Sequence, residues 1–166
     1  LVGLIDEPHA LRPPLVHGPP SRINGRLSNG SLDLALLDDP KPDRERTVHR
    51  LGRLSAGVWA SAAHPFASRS DVTLAEILAQ PFVGPPPGLS DQFPAHLERT
   101  VVLTVSQLHI AVQACATSQL LAYLPDAVAE AYRGEGALVR LPVQLAPSRP
   151  LYAVHRRSRP ESRVLV

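Results

Sequence analysis

The apolar positions of this chain fall into short runs separated by turn-forming residues. Leu32–Leu37 is almost wholly apolar, opened by Asn29-Gly30 and stopped by Asp38-Asp39-Pro40. Asn-Gly is a strong turn pair because glycine takes positive φ without steric cost and asparagine tolerates it. A run of this length between turn signals predicts a strand buried on both faces, of the kind found in α/β sheets. Val48–Leu54, Gly57–Ala62, Pro81–Val83, Val101–Val105, Leu120–Leu124, Leu138–Leu141 and Leu151–Val154 are the other predicted strands, by alternation, β-branching or continuous apolarity. Trp59 is expected to be buried. Pro13-Pro14 confines the apolar start of the chain to an edge strand.

Helical spacing appears between these runs. Ser21 is placed to cap a helix over Arg22–Ser28, with Ile23 and Leu27 on one face. Ser70 or Asp71 precedes a short helix at Thr73–Leu78, and a weak helix is expected within Asp91–Arg99. Ser106 opens a helix whose Ile110, Ala111, Ala114 and Cys115 share a face. Asp126 caps Ala127–Arg133, which Gly134 and Gly136 close. Arg156–Val166 reads as the start of a further helix. Strands alternating with short helices predict an α/β fold with a mainly parallel sheet, the strand–helix–strand opening implying parallel neighbours.

Composition narrows the function classes. The chain has 166 residues, 44% of them hydrophobic and 19% charged, which describes a folded domain. No apolar run reaches the roughly 18 residues of a membrane span. Leu1–Ile5, cut off by Asp6-Glu7-Pro8, is too short for a secretory signal. The single cysteine, Cys115, excludes an internal disulfide and fits a reducing compartment. Seven histidines are present, but none forms an i, i+4 pair, so no metal site is expected. No Gly-x-Ser-x-Gly, P-loop or Gly-x-Gly-x-x-Gly occurs, so neither a catalytic centre nor a cofactor is expected. The bases are 16 Arg and one Lys, with 18 Pro. Arg133–Val166 holds seven Arg against Glu135 and Glu161, an asymmetry that either steers anions or is a solvated arginine-rich face.

The order of the motifs is informative. Gly18-Pro19-Pro20-Ser21, Asn29–Leu36, His64-Pro65-Phe66-Ala67, Val72–Ile77, Gln80–Val83, Ala122–Val128 and Arg149–Val154 follow one another with the spacing of a known pattern. In that order the chain resembles the effector-binding domain of bacterial LysR-type transcriptional regulators. It departs from the family at Ser118-Gln119-Leu120, where a Gly-x-Gly turn is usual. The resemblance implies a two-lobed α/β fold like that of type II periplasmic binding proteins, lacking here its first strand and final helix. Lobe I would be 1–54 with 155–166, lobe II would be 55–154, and a ligand would lie in the cleft between them. It implies a small-molecule effector, no enzymatic activity, a cytoplasmic homodimer or tetramer, and DNA binding only through an upstream helix-turn-helix domain. Segment 1–16 of one subunit would pack against 107–124 of the other. A solute-binding protein of a transporter shares the fold and stands as the alternative.

Candidate effector contacts come from strand ends and helix starts, where ligands of open α/β sheets sit. Leu37, Asp38 and Asp39 end the first predicted strand; the two acids either line the site or form a solvated turn. Gly84, Pro85 and Pro86 follow Pro81–Val83, glycine allowing close approach and proline removing donors. Ser106 and Gln107 begin the helix after Val101–Val105, where free N–H groups can meet an anion or the serine can simply cap.

Overall fold

The protein is described from a computed structural model, which places residues 15–41, 43–133 and 137–157. The elements run α1 (Pro20–Ser28), β1 (Leu34–Leu37), β2 (Arg46–Leu54), β3 (Ala56–Ser61), α2 (Leu74–Leu78), β4 (Pro81–Gly84), β5 (Thr100–Thr104), α3 (Leu108–Thr117), β6 (Leu121–Pro125), α4 (Asp126–Arg133), β7 (Leu138–Arg140) and β8 (Arg149–Arg156). They divide into unit 1, Leu1–Gly52 with Pro150–Val166, and unit 2, Arg53–Arg149. These boundaries fall inside β2 and at the start of β8, earlier than the expected 54/55 and 154/155.

Unit 1 is built on a sheet in the order β1-β8-β2. β1 runs antiparallel to β8, pairing Leu34 with His155 and Leu36 with Ala153. The expected parallel neighbour of β1, in the segment before Leu15, lies outside the described residues. Helix α1 lays Ile23 and Leu27 against Ala35, Leu37 and Val154. On the opposite face of β1, Leu36 is 50% exposed. The expectation of burial on both faces therefore fails for this strand. The helix also starts earlier than its expected cap. Pro20 occupies the first turn behind Pro19, and Ser21 lies inside. Proline suits that place because its fixed φ is helical and no N–H is needed there. At the other end Gly30 takes φ +78°, and Asn29 Oδ1 accepts the Ser31 N–H at 3.0 Å.

Unit 2 has five strands in the order β5-β4-β6-β3-β7. β4 is parallel to β5 and β6, whereas β3 is antiparallel to β6 and β7. The sheet is thus mixed, not mainly parallel. Side chains alternate across it as strand geometry requires. Val58, Ala60, Phe82, Leu121 and Tyr123 form one core with Ile77 of α2. Trp59, Val83, Ala122 and Leu124 form the other, with Val112 and Cys115 of α3 and Ala129 of α4.

Several local expectations change. Thr73, not Ser70 or Asp71, caps α2, in a capping box with Glu76. No helix forms within Asp91–Arg99, because Phe93 turns inward against Phe82 and Tyr123. Helix α3 begins after Gln107, whose carbonyl accepts from the Ile110 and Ala111 N–H groups at 3.1 and 3.2 Å. Its buried residues are Val112 and Cys115, with Ile110 40% exposed. At the turn lacking the usual glycines, Ser118 Oγ donates to the Ala114 carbonyl at 2.5 Å and accepts the Leu120 N–H at 3.1 Å. A hydroxyl thus organises that turn. Gly134, Gly136 and the helix expected within Arg156–Val166 lie, wholly or beyond Arg157, outside the described residues. Among the described residues, no helix is long and apolar enough to cross a membrane.

Candidate functional site

The residues singled out from the sequence form two groups, one in each unit. In unit 1, Leu37 is buried at the end of β1, Asp38 is half-buried and Asp39 is exposed. Asp39 borders an open depression of about 560 Å³ with Ser21 and Asn24 of α1, Lys41, Asp43 and Arg46. Arg46 organises it. Its guanidinium donates to Asn24 Oδ1 at 2.6 Å and to Ser28 Oγ at 2.7 Å, and pairs with Asp43 at 2.9 Å. It therefore ties α1 to the loop before β2. With Arg46 engaged by Asp43, the wall carries both signs of charge and suits a polar ligand better than a simple anion.

In unit 2, the parallel pairing of β4 and β5 sets Gly84 beside Thr104. The Val105 N–H donates to the Gly84 carbonyl at 2.9 Å. Parallel strands end at the same edge, so Gly84, Pro85 and Pro86 leave the sheet beside Ser106 and Gln107. Gly84 is buried, the two prolines are half-buried, and Ser106 and Gln107 are exposed. The structure thus gathers these five positions at one corner.

The absence of a side chain at Gly84 has a structural use. A Cβ there would stand 3.1 Å from Val101 Cγ2 and 3.3 Å from Arg99 Nη2. Arg99 is a group the sequence reading missed. It pairs with Asp91 at 2.6 Å, and its guanidinium carbon lies 4.1 Å from the Phe93 ring centre and 5.4 Å from that of Phe82. Its side chain is 9% exposed, and Nη1 is buried with no hydrogen-bond partner. A charged group is tolerated there because Asp91 and the two ring faces offset its desolvation. No periodicity marks Arg99; only its place before β5, which lays it along β4, brings it to Gly84. Close by, burial pushes the Tyr123 hydroxyl pKa up.

The remaining reactive groups sit in structural surroundings. Burial pushes the Cys115 thiol up to about 12, and its Sγ donates to the Trp59 carbonyl at 3.3 Å. A thiol so protonated is a poor nucleophile. Trp59 Nε1–H donates to Asp126 Oδ1 at 3.1 Å, which also accepts from Arg140 at 3.1 Å. Among the described residues, no three His, Cys, Asp or Glu side chains converge as a metal-ligand group.

The family model of the LysR substrate binding domain matches residues 9–165. No curated protein matches the sequence. Among solved structures, a probable transcriptional regulator of Pseudomonas aeruginosa is similar at TM-score 0.65 and 21% identity, over 82% of this chain and 48% of that one. The regulatory domain of CcmR from Synechocystis PCC6803, in complex with 2-PG, is similar at TM-score 0.68 and 17% identity, over 87% of this chain and 73% of that one. The effector binding domain of QuiR, in complex with shikimate, is similar at TM-score 0.62 and 15% identity, over 89% and 73%. The chain spans about half the length of the Pseudomonas regulator. At these identities the likeness shows the fold, the α/β plan of type II periplasmic binding proteins.

Proposed function

The chain belongs to the LysR substrate-binding domain family, and from that premise we propose that its effector is received at the end of β1 and at the corner formed by β4, β5 and α3. It is an effector-binding domain of the LysR type. The observation that carries this reading is the family match over residues 9–165. The 2-PG and shikimate held by the CcmR and QuiR domains support a small organic molecule as the ligand class. Leu37, Asp38 and Asp39 would meet it in unit 1, and Gly84, Pro85, Pro86, Ser106 and Gln107 in unit 2. The rigid prolines offer apolar contact there, and the start of α3 offers backbone donors.

In this proposal, effector binding shifts a conformational equilibrium that alters how a DNA-binding domain upstream sits on its operator. The assembly is a homodimer or tetramer in the cytoplasm, and the domain does no chemistry on its ligand. The solute-binding alternative draws no support from the solved structures named above, which are regulators.

A thermal-shift screen of small carboxylates, aromatics and amino acids tests the reading. A ligand at 100 times its Kd adds about 2.7 kcal/mol of stability, so a true effector raises Tm by several degrees. Asp39→Ala and Ser106→Ala should weaken that response while leaving the unliganded Tm nearly unchanged. A response identical in both variants would remove these residues from the site.

A further inference from the structure

We propose that His49 and His155 form a two-imidazole site for a borderline divalent cation of the Zn²⁺, Ni²⁺ or Cu²⁺ class, with water completing the coordination. The pair stands on neighbouring strands of unit 1, His49 on β2 and His155 on β8. These are the strands along which the chain passes from one unit to the other. His155 is buried at 5% exposure, whereas His49 is exposed. One ligand is thus fixed by the fold and the other is open to solvent.

The hydrogen bonding fixes the chemistry of the buried ring. His155 Nδ1 lies 3.1 Å from the Arg156 carbonyl. A carbonyl only accepts, so Nδ1 carries a hydrogen and Nε2 is the nitrogen left to bind a metal. A backbone carbonyl holding the far nitrogen is the arrangement that orients histidine ligands and selects their tautomer. That Nε2 faces the Nε2 of His49 at 3.4 Å, with ring centres 5.5 Å apart and planes 5° from parallel.

The 3.4 Å separation admits a long Nε2–H···Nε2 hydrogen bond in the metal-free protein and also fits a shared metal. Hydrogen bonds from nitrogen normally close to about 2.7–3.2 Å. Two nitrogens each about 2.0–2.1 Å from a tetrahedral zinc stand roughly 3.3–3.4 Å apart. In the proposed site the exposed His49 ring turns so that its lone pair meets that of the fixed His155 ring at the metal. Successive side chains on a strand take opposite faces, which directs the cations adjacent to the histidines away, whereas the exposed Arg157, just past the end of β8, is not so directed. Arg50 and Arg156 therefore leave the histidine face. Arg156 instead lies over Gly30, its Nη2 2.6 Å from where a Cβ would stand. Imidazole pairs favour the later first-row metals, copper above nickel and zinc. The spacing rule used on the sequence could not find this site, since its two ligands are 106 residues apart.

The test titrates Cu²⁺ and Ni²⁺ into the tag-free chain by calorimetry and records the Cu²⁺ electron paramagnetic resonance spectrum. One equivalent is expected to bind, with splitting from two nitrogens. His49→Gln should lower the affinity at least tenfold without changing the metal-free Tm, because His49 is exposed. His109→Gln, at an exposed position of α3, should leave binding unchanged. His155→Gln should abolish the two-nitrogen spectrum; if it does not fold, His49→Gln decides alone. Equal binding by wild type and His49→Gln, or a spectrum that His109→Gln alters instead, overturns the proposal.

Discussion

The sheets of the two units differ in how they are enclosed. In unit 2, β3 sends Val58 and Ala60 to one core and Trp59 to the other, and β6 does the same with Leu121 and Tyr123 against Ala122 and Leu124. Every one of these side chains is at most 4% exposed. In unit 1, β1 buries Ala35 and Leu37 but leaves Leu36 half in solvent, and β2 is exposed from Val48 to Leu54. A two-faced sheet spreads the cost of a defect over two cores. In unit 1 the face opposite α1 is covered only in part, with Ala153 and His155 of β8 buried beside the half-exposed Leu36, and the main core depends on a single helix, α1.

The sharpest way to break this comparison is Trp59→Ala. Removing a fully buried tryptophan costs about 3–5 kcal/mol through lost burial and the cavity left behind. Asp126 would also lose its indole donor. Denaturant titration of the purified chain should show most of its stability gone. The matching change on the open face, Leu36→Ser, should stay within about 0.5 kcal/mol, as surface substitutions do. Comparable losses in the two variants would mean that the outer face of β1 is covered in solution.

Leu27→Ala sharpens the contrast within unit 1. Leu27 is fully buried between α1 and β1, and its truncation should cost about 2–5 kcal/mol. The expected signature is local. Amide exchange should accelerate through Pro20–Leu37 while β6 and β3 keep their protection, because few other side chains hold α1 to its sheet. Uniform acceleration across both units would show that they unfold as one.

These contrasts also explain what the sequence could disclose. Leu32–Leu37 and Leu120–Leu124 read alike, as short apolar runs between turn signals. Only the second is buried on both faces. Apolarity records that a residue can be buried, whereas the number of covered faces depends on helices supplied from distant parts of the chain. Element positions were legible because Pro, Gly and Asn-Gly punctuate the chain, and motif order was enough to suggest the family. Strand direction was not legible. β1 meets β8 from the other end of the sequence, and β3 turns antiparallel to β6 although short helices follow both. The candidate corner at Gly84 and Ser106 was found because strand ends and helix starts are local signals. Arg99 and the His49–His155 pair were missed because each is assembled by pairing between strands.

The smallest expected effect concerns His64, at the turn after β3 in the better-enclosed unit. Its Nδ1 accepts the Phe66 N–H at 3.0 Å and so cannot also carry a proton there. Burial holds the imidazole pKa below its ordinary 6.5, and the engaged Nδ1 works in the same direction. The unfolded chain therefore takes up a proton near pH 6.5, while the folded chain takes it only at lower pH. Where the unfolded state binds more protons, stability rises with pH. The contribution of His64 is complete above pH 6.5 and is lost as the pH falls from there toward the lowered folded value. His64→Gln keeps an acceptor near the Phe66 N–H and removes the titration. Its Tm should fall less than that of wild type between pH 7 and pH 5, a window above the range in which Asp71 and Glu76, held below ordinary carboxylate values chiefly by hydrogen bonds from Arg69 and from Thr73 respectively, begin to protonate. Identical slopes for the two proteins would mean that the ring leaves its place in the turn when protonated at no cost to the fold.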